Sequence, residues 1–196
     1  MLNKHRNPIR LITCTVFKPA IGYLHLEERF PNLRLAYLQS NLHLFPWKPK
    51  NRILTGIRAA HNRNERVICL YGDCFPDIDD FYKEYGVTKV PGHYCCEMLL
   101  GSEKFSQLLN EMIGTYFAER ELIQNFKEYC VIPLELNDEE MKQYCFNQYR
   151  RLIYVQQPSD PDLVTQAGEV ANFLGLSLDI SDVDYSYLQK SLVGLL

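Results

Sequence analysis

Short apolar runs of strand length alternate with longer stretches of helical period along almost the whole chain, and that alternation limits the folds open to it. The runs Ile9 to Phe17, Leu33 to Gln39, Arg66 to Gly72, Arg151 to Gln157 and Leu176 to Ser181 are rich in branched and aromatic residues, and turn-forming residues stand near most of their ends. Val87 to Val90 is a shorter sixth candidate. Between them, residues 51–62 place Ile53, Leu54, Ile57 and Ala60 on one face, with Pro49 and Asn51 where the helix should start. A second helix is expected after Asp160-Pro161: Asp160 would cap it, Pro161 would fit its first turn, Leu163, Ala167, Val170, Ala171 and Leu174 would form the buried stripe, and Gly175 would end it. Residues 97–112, 119–131 and 138–149 read as three more helices. Strands alternating with helices imply an α/β fold: an open, mainly parallel sheet flanked by helices in a Rossmann-like three-layer sandwich, with a helical insertion between the fourth and fifth strands. With no repeat or linker, residues 1–196 are expected to form a single α/β domain, for which 46% hydrophobic residues supply ample core.

Charge and cysteine usage narrow the setting. A net charge of −3 with the signs intermixed provides no basic field for nucleic acid and no polybasic patch for a membrane. The basic start MLNKHRNPIRLITCTVF has too short an apolar run for a signal segment or a membrane span, so a cytoplasmic location is expected. Seven cysteines, an odd number, in a chain of 196 residues without an export signal argue for thiols or ligands rather than a disulfide framework.

Ligands of open α/β sheets bind beyond the carboxyl ends of the strands. Four segments bring reactive side chains to that edge: Cys14 after the first strand, His43 after the second, Tyr71, Asp73 and Cys74 after the third, and His93, Cys95 and Glu97 after the short fourth. Zinc or another transition metal wants thiolate and imidazole ligands in tetrahedral array, and Cys74, His93 and Cys95 are the expected three. Asp73 and Glu97 would orient those ligands or exchange protons, and Tyr71, His43, Tyr116 and Cys14 would line the pocket. The absence of any C-x-x-C pair excludes a knuckle-type structural zinc site. Cys69 reads as core, Cys130 and Cys145 as packing residues on helices, and Cys96 as pointing into the helix that follows it.

Two other chemistries use the same residues. Cys95 opens a helix with His93 two residues before it, a spacing that suits a nucleophilic thiol and its base, although no third, orienting residue is evident in the sequence. Glycine-containing loops at VPGHYCCE and GTYFAERE stand at expected helix starts, where an anion can bind. Phosphate-loop, dinucleotide, zinc-protease, serine-hydrolase and corrinoid-carrier signatures are all absent. Arg150 and Arg151 read as a solvated helix-to-strand junction. Phe45 and Trp47, on the proline-bounded HLFPWKP, are candidate anchors for a partner protein, which leaves a non-enzymatic accessory role as the rival to an enzyme.

The order LITCTVF, NLHLFP, YGDC, VPGHYCCEMLLGS, GTYF, NQYRRLIYVQ resembles the prokaryotic proteins of domain-of-unknown-function family 1638 over nearly the full chain. The resemblance implies an α/β fold, a cytosolic setting and a link to corrinoid or one-carbon methyl metabolism, with a corrinoid protein or a small molecule as partner. The His93, Cys95 and Cys74 set is also similar to the His-x-Cys plus distant Cys that binds zinc in thiol-activating methyltransferases, a resemblance that implies methyl or thiol transfer.

Overall fold

The computed structural model describes residues 8–45 and 47–196, the side chains of His43 and Leu44 excepted. The chain divides into two compact units, one formed by Met1–Cys95 together with Leu188–Leu196, the other by Cys96–Tyr187.

The first unit is built on a parallel sheet. Its strands are β1 (Ile9–Cys14), β2 (Leu33–Leu38), β3 (Arg66–Leu70) and β4 (Thr88–Lys89), in the order β2-β1-β3-β4. Parallel neighbours need crossovers, and the chain supplies them as α1 (Lys18–Tyr23) with α2 (Leu26–Arg29), α3 (Trp47–His61) and α4 (Ile78–Glu84). The central strands are apolar on both faces because helices cover both: Leu11, Ile12, Val67, Ile68 and Leu70 are buried, as are Ile53, Ile57 and Ala60 of α3. Gly56 lets α3 sit close to β1, since a Cβ there would lie 2.9 Å from Ile12 Cδ1. Arg10 and Glu65 form a bidentate pair at 2.8 and 3.1 Å that ties β1 to the start of β3.

The second unit carries its own parallel sheet, β5 (Thr115–Glu119), β6 (Arg151–Gln156) and β7 (Ser177–Asp182), in sequential order. Helix α5 (Cys95–Leu100) begins at the end of the first unit, and α6 (Ser102–Glu111) leads into β5. After β5 come α7 (Arg120–Gln124), a π-helical turn at Lys127–Val131 and α8 (Glu139–Phe146); α9 (Val164–Leu174) joins β6 to β7. Finally α10 (Ser186–Val193) runs out of the second unit and returns the chain to the first. Ala118, Leu152 and Tyr154 of the sheet pack with Ile123, Phe126, Cys130, Phe146, Ala167, Val170 and Ala171.

The α/β class, with parallel strands and flanking helices, is the expected one, and all six expected strands form. The seven strands are shared between two sheets, and the stretch expected to be a helical insertion contains β5. The helix expected over 97–112 is broken at Gly101, whose φ of +88° suits glycine and not a residue bearing a Cβ. The helix after Pro161 buries the expected stripe and ends in a left-handed Gly175, but Asp160 does not cap it. Its carboxylate accepts instead from Tyr154 Oη at 2.8 Å and from the Gln157 amide at 2.9 Å. No helix among the described residues is long and apolar enough to cross a membrane.

Candidate functional site

The carboxyl end of the first sheet gathers the loops after β1, β3 and β4. Parallel register puts Cys14, the last residue of β1, one step beyond the Thr13–Leu70 pair, so Tyr71 follows directly alongside it. The loops after β3 and β4 are closely joined: the Asp73 amide donates to the His93 carbonyl at 2.7 Å. Gly72 makes that approach possible. A Cβ at this position would lie 3.1 Å from the His93 carbonyl oxygen, 3.4 Å from the Cys95 nitrogen and 3.6 Å from Cys95 Sγ.

Two groups of side chains result. The inner one consists of thiols around a phenol. Tyr71 is buried, and burial pushes its pKa up, helped by the nearby thiols of Cys14, Cys74 and Cys95. Burial likewise pushes the Cys74 thiol up to about 12, with Cys14 and Asp73 adding to the shift, so Cys74 is a neutral thiol at physiological pH.

The outer group is ionic. Asp73 accepts from His93 Nδ1 at 2.7 Å and pairs with Lys89, which reaches Asp79 at 3.1 Å as well. Partial burial by itself would raise the pKa of Asp73, but the hydrogen bonds and charges of Lys89 and His93 outweigh it and hold the carboxyl below its usual range. Lys89 responds in the opposite sense: burial lowers it, and its bonds to Asp73 and Asp79 carry it above the ordinary value. An ionised carboxylate only accepts, so Nδ1 of His93 must be the donor, which places the basic lone pair of the neutral ring on Nε2. His93 is 69% exposed, so this ring reaches solvent at the rim of the cluster.

Asp73, Cys74, His93, Cys95, Tyr71 and Cys14, expected together, are all at this one edge. Among the described residues, however, no three His, Cys, Asp or Glu side chains form a group able to hold a metal ion. The His43 side chain lies outside the described residues. Glu97 and Tyr116 belong to the second unit. Glu97 accepts from Ser102 Oγ at 2.8 Å, and Tyr116 packs edge-on against Phe146 and Tyr149 with its hydroxyl 3.9 Å from Cys130 Sγ. Cys69 is fully buried, its thiol pushed up to about 12 by burial, and Cys130 is in the second unit's core, as expected of packing residues. Lys89 was not singled out by sequence. Its only signal is a charged residue inside the short apolar VTKV.

The fold and this cluster define an α/β protein of parallel sheets with a thiol- and imidazole-bearing strand-end site. The chain belongs to the family described as protein of unknown function (DUF1638), which matches residues 37–192. No curated protein and no solved structure matches it.

Proposed function

We propose that the carboxyl edge of the first sheet is the working site, and that it performs thiol chemistry, the transfer of a methyl or other small alkyl group through Cys95. The observation that carries this reading is the 2.7 Å contact between Asp73 and His93 Nδ1, which supplies the orienting third residue that the sequence lacked. In the proposed step the Cys95 sulfur uses an electron pair to form an S–C bond with the alkyl carbon. The bond from that carbon to its leaving group breaks, and the leaving group takes the bonding pair. The thiol proton passes to Nε2 of His93, and Asp73 stabilises the imidazolium that forms. The neutral thiol of Cys74, the buried side chain of Cys14 and the phenol of Tyr71 form a desolvated wall suited to an apolar alkyl group.

The reading is tested by peptide-mapped alkylation of the native protein with iodoacetamide at neutral pH. Cys95 should be modified first among the seven cysteines. Modification of Cys145, a half-buried residue of the second unit, at the same rate as Cys95 would overturn it. Zinc or another transition metal enters this proposal only as an added outcome: metal co-purifying in stoichiometric amount with the untagged chain, and lost in Cys74→Ala, would replace the alkyl-transfer reading by ligation. A non-enzymatic accessory role is favoured by a separate observation. Trp47 is 61% exposed, its ring 5.6 Å from that of Phe45, with Lys48 over the Phe45 face. Turnover of an alkyl donor excludes that role, and binding of a corrinoid or a partner protein without turnover supports it.

A further inference from the structure

The intermixing of charge that the chain shows as a whole fails in one segment. Residues 29–64 hold seven Lys and Arg and no Asp or Glu, so all 24 acidic residues lie outside it. Helix α3 makes up much of this segment. It turns Ile53, Ile57 and Ala60 inward, and the helical period therefore puts Lys48, Arg52, Thr55 and Arg58 on the opposite, exposed half, with Arg63 exposed in the turn that follows. Solvated surface helices commonly place acids and bases three or four residues apart, whereas α3 contains no acid at all. None of Lys48, Arg52, Arg58 and Arg63 makes an ion pair among the described residues.

An aromatic pair stands at one end of this row of cations. Trp47 is 61% exposed and Phe45 37%, and their rings meet edge to face with centroids 5.6 Å apart. The Lys48 ammonium lies 3.8 Å from the Phe45 centroid and covers one face of that ring. An exposed tryptophan beside arginines is the combination that anchors protein interfaces, where both residue types are enriched. The fifteen residues of α3 rise over about 22 Å, the reach of about seven residues of extended chain.

We infer that the outer face of α3, together with Phe45 and Trp47, is a docking surface for an acidic protein segment of about seven residues that carries one large apolar side chain. Charge complementarity selects the acid: carboxylates of the segment pair with Lys48, Arg52 and Arg58. The apolar side chain packs on the exposed Trp47 ring and excludes water from it. Single-stranded nucleic acid also combines cations with aromatics, but it stacks its bases on open aromatic faces. Here one face of Phe45 is taken by Lys48, and its ring meets Trp47 edge to face rather than standing as a separate platform. The surface deepens the accessory reading above and stands whether or not Cys95 transfers an alkyl group, since docking is measured without turnover.

Trp47 is the only tryptophan of the chain, so its emission reports on the patch directly. The test is a fluorescence titration of the full chain with a capped heptapeptide of glutamate with leucine at its centre, which does not itself emit. Parallel probes are the same peptide with glutamine in place of glutamate, oligothymidylate, and phosphatidylserine vesicles. The acidic peptide should change Trp47 emission saturably, with half-saturation on the order of 100 µM at low salt, and should weaken several-fold between about 50 and about 200 mM salt. Arg52→Glu combined with Arg58→Glu reverses two exposed charges and should weaken the peptide by about tenfold or more. If that variant does not fold, Arg52→Gln carries the same test through a loss of about threefold. No saturable change, an equal response to the glutamine peptide, an affinity unaltered by these substitutions, or tighter binding of the oligonucleotide or the vesicles overturns the proposal.

Discussion

Gly72→Ala probes how tightly the loops after β3 and β4 are joined. Replacing glycine by alanine where the backbone permits it stabilises a protein by about 0.4–1 kcal/mol, through loss of freedom in the unfolded chain. At position 72 the added methyl meets the His93 carbonyl at 3.1 Å and the Cys95 nitrogen at 3.4 Å, both backbone atoms. They can retreat only by stretching the 2.7 Å bond from the Asp73 amide to the same carbonyl. Overpacking of this kind costs about 1–3 kcal/mol, so the net expectation is a loss of about 1 kcal/mol. Gly22 provides a matched control within the same unit: it lies in α1, and a Cβ there would meet nothing within 4 Å. Urea denaturation should therefore move the midpoint down for Gly72→Ala and up for Gly22→Ala. A midpoint for Gly72→Ala at or above that of the wild type would refute the close apposition of the two loops on which the site depends.

Two further predictions concern pH, with opposite signs. Asp73 titrates in the folded state below its unfolded value of about 3.9, so the stability it contributes is complete above that pH and is lost as pH falls through the folded value. The stability gap between wild type and Asp73→Asn should be widest near neutrality and close in acid; a gap constant down to the acid transition would contradict the ionic network. Glu119 titrates in the folded state above its unfolded value, so its contribution is greatest below about pH 4.5 and declines as pH rises through about 7. Wild-type stability should fall across that interval relative to Glu119→Gln, as read from denaturation midpoints at each pH, and parallel curves would mean that Glu119 is not desolvated.

Much of the fold is legible because burial leaves a direct trace in the chain. A strand covered on both faces, such as β1, β3 or β6, must be a near-continuous apolar run, and those runs stand out. Strand β5 does not, because its residues Thr115 to Glu119 end on charge and pass straight into Arg120 and Glu121, which read as the start of a helix. Pairing between strands leaves no such trace. Periodicity reports which faces are buried and not which strand lies alongside, so the division into two sheets could be seen only in the structure. The same applies to the site. The strand-end rule located Cys14, Tyr71, Asp73, Cys74, His93 and Cys95 correctly at one edge, but the contact of Asp73 with His93 links residues twenty positions apart and depends on the loop-to-loop approach at Gly72. Asp160 was misread for a related reason. An aspartate directly before a proline, as in Asp160-Pro161, is a good helix cap on local grounds, yet the Asp160 side chain turns inward to Tyr154 and the Gln157 amide.

The claim that Asp73, His93 and Cys95 act as one unit is tested most directly by a double-mutant cycle on the rate of Cys95 alkylation at neutral pH, using wild type, Asp73→Asn, His93→Gln and the double variant. If Asp73 acts through His93, each single variant slows Cys95 and the double variant is no slower than His93→Gln alone. Multiplicative effects of the two substitutions, or a Cys95 rate that neither alters, would contradict the account.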